Sequence, residues 1–89
     1  MPNYKVPIKD VLFLFNDVFD MQTLYQQVEG GDQATPDMID AIFTEGAKFS
    51  ENELAPIYQS GDDGCVWDDG VVTTPAGFKE AYKTYIEAG

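Results

Sequence analysis

Residues 35–61 read TPDMIDAIFTEGAKFSENELAPIYQSG, and how this stretch folds decides the architecture of the rest. Thr35 can cap a helix with its hydroxyl, and Pro36 suits the first helical position because the N–H it lacks would have no partner there. Asp37 places a negative charge at the positive end of the dipole. Apolar residues then fall at 39, 42, 43, 49, 54 and 57, with Gly46 on the same face. That spacing predicts one long helix from about 36 to 59. Pro56 removes a backbone hydrogen bond near its end and predicts a bend there, and Gly61 supplies the stop.

Upstream, the first seven residues, with Pro2 and Pro7 among them, are expected to be extended. Asp10 is then the expected N-cap of a helix over VLFLFNDVFD (11–20), whose apolar positions 11, 12, 15, 18 and 19 follow helical spacing. Phe13 and Leu14 widen that stripe until little of the helix is polar, so it must be covered on most sides. A short helical piece, MQTLYQQV (21–28), follows before the break at Gly30-Gly31-Asp32.

Downstream, Thr74-Pro75 repeats the helix-start signal, and Phe78, Tyr82, Tyr85 and Ile86 line one face of a final helix. Between the two helices, CVW and VVT flank Asp68-Asp69-Gly70, and Asp-Gly between β-prone residues signals a hairpin. The expected fold is therefore mainly α: a small bundle of about four helices with a short β-hairpin between the last two. It is expected to form one domain over 1–89, with short helices in 1–34 and the long helix, ribbon and final helix in 35–89.

Composition limits what such a chain can do. Its 89 residues leave room for a thin core, while 44% hydrophobic and 13% aromatic content is too apolar for a disordered acidic tail. Sixteen acidic residues against five lysines give a net charge of −11, and there is no arginine. A field of this sign repels phosphate backbones and anionic bilayers, so neither nucleic acid nor membrane is an expected partner. Without histidine, no Ser-His or Cys-His nucleophile can be built. Cys65 is the single cysteine, which excludes an internal disulfide and a thiolate metal cluster. It is read as an unreactive small apolar residue of the ribbon. MPNYKVPIKD lacks the pattern of a signal peptide, and the strongly apolar run 11–15 is too short to span a bilayer. A soluble, cytoplasmic chain is expected.

The ribbon region, GDDGCVWDDG (61–70), raises the question of a metal site. A calcium loop of the EF-hand kind needs oxygen ligands at positions 1, 3 and 5, glycine at 6 and glutamate at 12. Setting Gly70 at position 6 puts Cys65 at 1, Trp67 at 3 and Ala76 at 12. Setting Gly64 there gives Gln59, Gly61 and Asp63 with no following glutamate. Neither frame works, and both triplets read as turn chemistry. An acid–base carboxylate pair would need one buried member, which solvated turns do not provide. No catalytic, cofactor-binding or metal-ligating residue is therefore assigned. Trp67 is expected to pack beneath a helix or against a partner.

Several stretches together resemble a known family: Tyr4-Lys5-x-Pro7-Ile8-Lys9-Asp10, Ala34-Thr35-Pro36-Asp37, FSENELAPIYQSGDDGC (49–65) and DGVVTTPAGFKEAY (69–82). In this order they resemble the N-terminal segment of bacterial acyl-CoA dehydrogenases, and more narrowly the subgroup with an N-terminal extension that includes the methylthiopropanoyl-CoA dehydrogenase type. The resemblance implies a parent enzyme that uses FAD, removes a proton alpha to a thioester carbonyl with a glutamate and passes hydride from the beta carbon to the flavin. Those residues belong to later parts of longer chains. Glu45, Glu51 and Glu53 match no active-site motif of the family. The chain is thus expected to be a structural or assembly segment without activity of its own, partnered by the remainder of such an enzyme or by further copies of itself.

A different class competes with this one, a stand-alone acidic helical interaction module. An acyl carrier protein would need an Asp-Ser-Leu site, whereas the serines here stand in Phe49-Ser50-Glu51 and Gln59-Ser60-Gly61. Phe43, Phe49, Tyr82 and Tyr85, at helical spacing, read as core or interface.

Overall fold

Pro7 begins the first helix with its backbone carbonyl, which accepts the Val11 N–H at 3.1 Å; no side chain caps this end. In the computed structural model, which describes residues 3–89, α1 spans Ile8–Phe13 and passes into a π-helical turn, Leu14–Val18. Asp10 therefore lies inside the first turn and is not the N-cap, because the carbonyl of Pro7, three residues before it, already opens the helix. The expectation for Pro2 falls outside the described residues.

Asp20 ends this helical run by taking the left-handed conformation, φ +47°, and its carboxylate accepts the Thr23 hydroxyl at 2.6 Å. Helix α2 follows at Met21–Tyr25, shorter than the expected 21–28. The chain then turns through Gly30, at φ +78°, into a 3₁₀ turn, Gly31–Gln33. Gly31 is required there by close approach: a Cβ on it would collide with the Tyr25 carbonyl oxygen. The Gln22 side-chain amide ties α2 to the far side of the loop by donating to the Ala34 carbonyl at 3.0 Å.

Helix α3, Pro36–Phe49, starts where its sequence predicts, with the Thr35 hydroxyl accepting the Met38 N–H at 3.2 Å. Helical conformation persists through a π turn (Ser50–Leu54), a 3₁₀ turn (Ala55–Ile57) and α4, Tyr58–Asp63. Pro56, lacking an N–H, is accommodated by these changes of hydrogen-bond register and does not end the run. Gly61 is not the stop; that role belongs to Gly64, at φ +90°, whose N–H donates to the Ser60 and Gly61 carbonyls. Gly61 instead sits inside the helix beneath the Phe78 ring, where a Cβ would come within 2.9 Å of Cζ.

Strands β1 (Val66–Asp68) and β2 (Val71–Thr73) pair antiparallel, with Trp67 opposite Val72. The two-residue turn Asp69-Gly70 has φ +49° and +83°, the doubly positive backbone of a type I′ hairpin. Thr74-Pro75 does not start the last helix. Pro75 opens a single turn, its carbonyl accepting the Phe78 N–H at 3.2 Å across Gly77 at φ +88°, and α5 runs from Phe78 to Glu87. The Thr-Pro pair forms a loop instead, held by the Ser60 hydroxyl donating to the Ala76 carbonyl at 2.6 Å.

Counting 36–63 as one, there are four main helical runs with an antiparallel hairpin between the last two, as the sequence predicts. The chain divides into two compact units, Lys5–Lys48 and Phe49–Gly89, the latter taking in residues 3–4. In the first unit the Phe15 ring stands edge-on to Phe43 at 5.1 Å and beside Tyr25 at 6.1 Å, so three helical elements meet on one side chain. In the second, Phe49 packs against Tyr85 at 5.6 Å. The core is thin. Among the described residues only Ile39 and Ala81 are buried hydrophobics, and no buried polar group was found.

Candidate interaction surface

The two Asp-Asp-Gly triplets occupy different structural positions. Asp62 and Asp63 finish α4, where Asp63 accepts the Gln59 side-chain amide at 3.2 Å. Asp68 closes β1, and Asp69 forms the first half of the hairpin turn. The turn reading therefore holds for Asp69-Gly70 but not for Asp62-Asp63, which belong to the last turn of a helix that ends at Gly64. Among the described residues no three acidic or thiol groups converge as a metal site.

The glutamates singled out in the long helical run are likewise dispersed. Glu45 forms an exposed pair with Lys48 at 3.2 Å, while Glu51 and Glu53 lie on the π turn that follows α3. An exposed pair of this kind contributes little to stability.

The ribbon departs from expectation. Trp67 is 70% exposed, so none of the described residues covers it in the way its size suggests. Val66, Val71 and Val72 are also exposed. Register explains the pattern: Trp67 and Val72 share one face, and Val66 and Val71 lie on the other. A two-stranded ribbon with apolar side chains on both faces needs a layer on each side. Cys65 lies just before β1, not in the strand, and is exposed rather than packed.

Among the hollows of the Phe49–Gly89 unit, two have described linings. One, about 260 Å³, is lined by Leu54, Ile57, Tyr58, Gly61, Asp62 and Phe78. The other, about 540 Å³, runs along α5 past Lys79, Glu80, Tyr82, Lys83 and Ile86. Neither joins a nucleophile to a base. Of the aromatics expected in core or interface, Phe43, Phe49 and Tyr85 have ring partners, while Tyr85 and Tyr82 are both exposed. The valines around Trp67 were not singled out by sequence reasoning. Their signal was available in the CVW and VVT stretches, which break the apolar–polar alternation expected of a ribbon with one wet face.

No helix among the described residues is long and apolar enough to cross a membrane. No family model matches the chain. It is 34% identical over 91 aligned positions to a butyryl-CoA dehydrogenase of Syntrophomonas wolfei subsp. wolfei (strain DSM 2245B / Goettingen), an alignment that takes in 98% of this chain. The chain spans 15% of the length of that relative. The similarity supports a segment of an acyl-CoA dehydrogenase, and it does so along almost the whole of the sequence.

Proposed function

We propose that the chain is the N-terminal structural and assembly segment of an FAD-dependent acyl-CoA dehydrogenase and is not catalytic by itself. The observation that carries this reading is the alignment of 98% of the chain with 15% of a butyryl-CoA dehydrogenase. Within that family, its opening residues and the Thr35-Pro36-Asp37 start resemble the subgroup with an N-terminal extension, which includes the methylthiopropanoyl-CoA type. The parent reaction would be the alpha,beta-dehydrogenation of an acyl-CoA thioester in the cytoplasm.

Neither of these two hollows fits FAD. The larger hollow is lined from α5 alone, so nothing faces the second side of a flavin ring, and the two lysines beside it share the site with Glu80. No step of the reaction is assigned to this chain. What it offers is apolar surface. Phe13, Leu14, Val18 and Phe19 are exposed on and beside the first helical run, as is Trp67 on the ribbon. Surface of this kind supports burial against the rest of an enzyme. In the absence of that body, the isolated chain is expected to self-associate, more strongly as salt screens the repulsion between chains of charge −11.

The exposure of Trp67 also favours a second reading, a stand-alone acidic interaction module. The genomic locus separates the two. An open reading frame that continues into a dehydrogenase body supports the segment, and a gene encoding these 89 residues alone overturns it. Purified chain mixed with FAD should retain no yellow colour and should oxidise no acyl-CoA with an artificial acceptor.

A further inference from the structure

We infer that the hairpin Val66–Thr73 docks onto the remaining polypeptide of the dehydrogenase, through a surface that is apolar at its centre and rimmed with lysine or arginine. This rests on the segment reading above and specifies which element makes the contact. Val66, Trp67, Val71 and Val72 lie within eight residues and are 61–70% exposed. Trp67 and Val72 lie on one face and Val66 and Val71 on the other, and the two faces together leave on the order of 400 Å² of mostly apolar surface, about half of what one partner brings to a standard interface, so the hairpin is matched to a cleft that covers both sides. Tryptophan is also the residue type most often found at the energetic centre of such contacts.

Charge selects the occupant. From residue 49 to residue 78 there are six carboxylates, Glu51, Glu53, Asp62, Asp63, Asp68 and Asp69, and no lysine or arginine. Asp68 and Asp69 belong to the ribbon itself, at the end of β1 and in the turn. A second copy laid face to face on this ribbon would bring the same aspartates together, and each copy carries −11. Like charges at an interface are strongly unfavourable, whereas a basic rim meets the carboxylates with complementary sign. The ribbon is therefore matched to a surface unlike itself.

Hydroxyl-radical footprinting of the full-length enzyme tests this directly, with oxidation of Trp67 followed by mass spectrometry in the folded enzyme and in the same enzyme unfolded in urea. A covered Trp67 should react at least about five-fold more slowly when folded, at every enzyme concentration. A side chain left 70% exposed would slow by less than about two-fold, and that result overturns the docking while leaving the segment reading intact. Protection that appears only as the enzyme is concentrated would assign the ribbon to a second copy and overturn the inference. Asp68→Lys tests the rim: facing lysine or arginine, it should lower the melting temperature and speed Trp67 oxidation. An unchanged or raised melting temperature would refute a basic rim. If the locus encodes no dehydrogenase body, the segment reading and this inference fall together.

Discussion

Phe15 and Trp67 are both large aromatics that the sequence marks as packing residues, and the structure treats them in opposite ways. Phe15 sits where three helical elements of the Lys5–Lys48 unit meet, with Tyr25 and Phe43 against its ring. Trp67 sits on a ribbon of the Phe49–Gly89 unit and is 70% exposed. The difference is architectural. A helix whose apolar stripe is matched by two neighbours can bury a ring from within one unit. A two-stranded ribbon has two faces and supplies neither with a cover.

This contrast predicts that side chains of the Lys5–Lys48 unit carry stability and those of the ribbon do not. The largest effect is expected for Phe15→Ala. Full truncation of a core phenylalanine costs about 3–5 kcal/mol, and a half-buried one such as Phe15 should cost about 2–3 kcal/mol. Urea denaturation followed by circular dichroism would measure it. A loss below about 1 kcal/mol would mean that the ring cluster is incidental and would erase the contrast.

Next in size are two glycines, one in each unit. Gly31→Ala drives a Cβ into the Tyr25 carbonyl oxygen and should cost about 2 kcal/mol, since backbone has to move. Gly77→Ala combines φ +88° with a Cβ that would lie 2.7 Å from Ile57 Cγ2, and about 1–2 kcal/mol is expected. Comparable losses at the two positions would show that backbone constraint is shared between the units even though side-chain burial is not. Thr35→Ala should cost about 1 kcal/mol by freeing the Met38 N–H it accepts, and Thr35→Ser should restore most of it.

How far the sequence reveals this molecule follows the same divide. Thr35-Pro36-Asp37 marks a helix start and delivers one, because the hydroxyl finds its N–H three residues on. Thr74-Pro75 carries the same letters and fails, because Gly77 takes a left-handed backbone before any helical bond can form from Thr74. Asp69-Gly70 is legible as a turn since both positions need positive φ and both residues tolerate it. The stop at Gly64 was not legible: Gly61 and Gly64 look equivalent in sequence, and only the Phe78 ring over Gly61 distinguishes them. The exposure of the ribbon was hidden for a related reason. Sequence pattern tells which side chains want cover, and it is silent on whether the cover lies within the same 89 residues.

Trp67→Ala is the smallest expected effect and the sharpest test of the comparison. A buried tryptophan would cost about 3–5 kcal/mol on truncation, as expected if it anchored the ribbon to the helices. At 70% exposure, with only Val72 opposite it in the ribbon register, it should cost the isolated chain less than about 1 kcal/mol. Its fluorescence in the isolated chain should be that of a water-exposed indole, and as the sole tryptophan here it reports without ambiguity. Pairing this substitution with Phe15→Ala gives the contrast its quantitative form, two aromatic truncations in the same 89 residues differing by at least about 1 kcal/mol. Equal losses would mean that Trp67 finds cover inside the isolated chain, and the ribbon would then have little left to offer to the body of an enzyme.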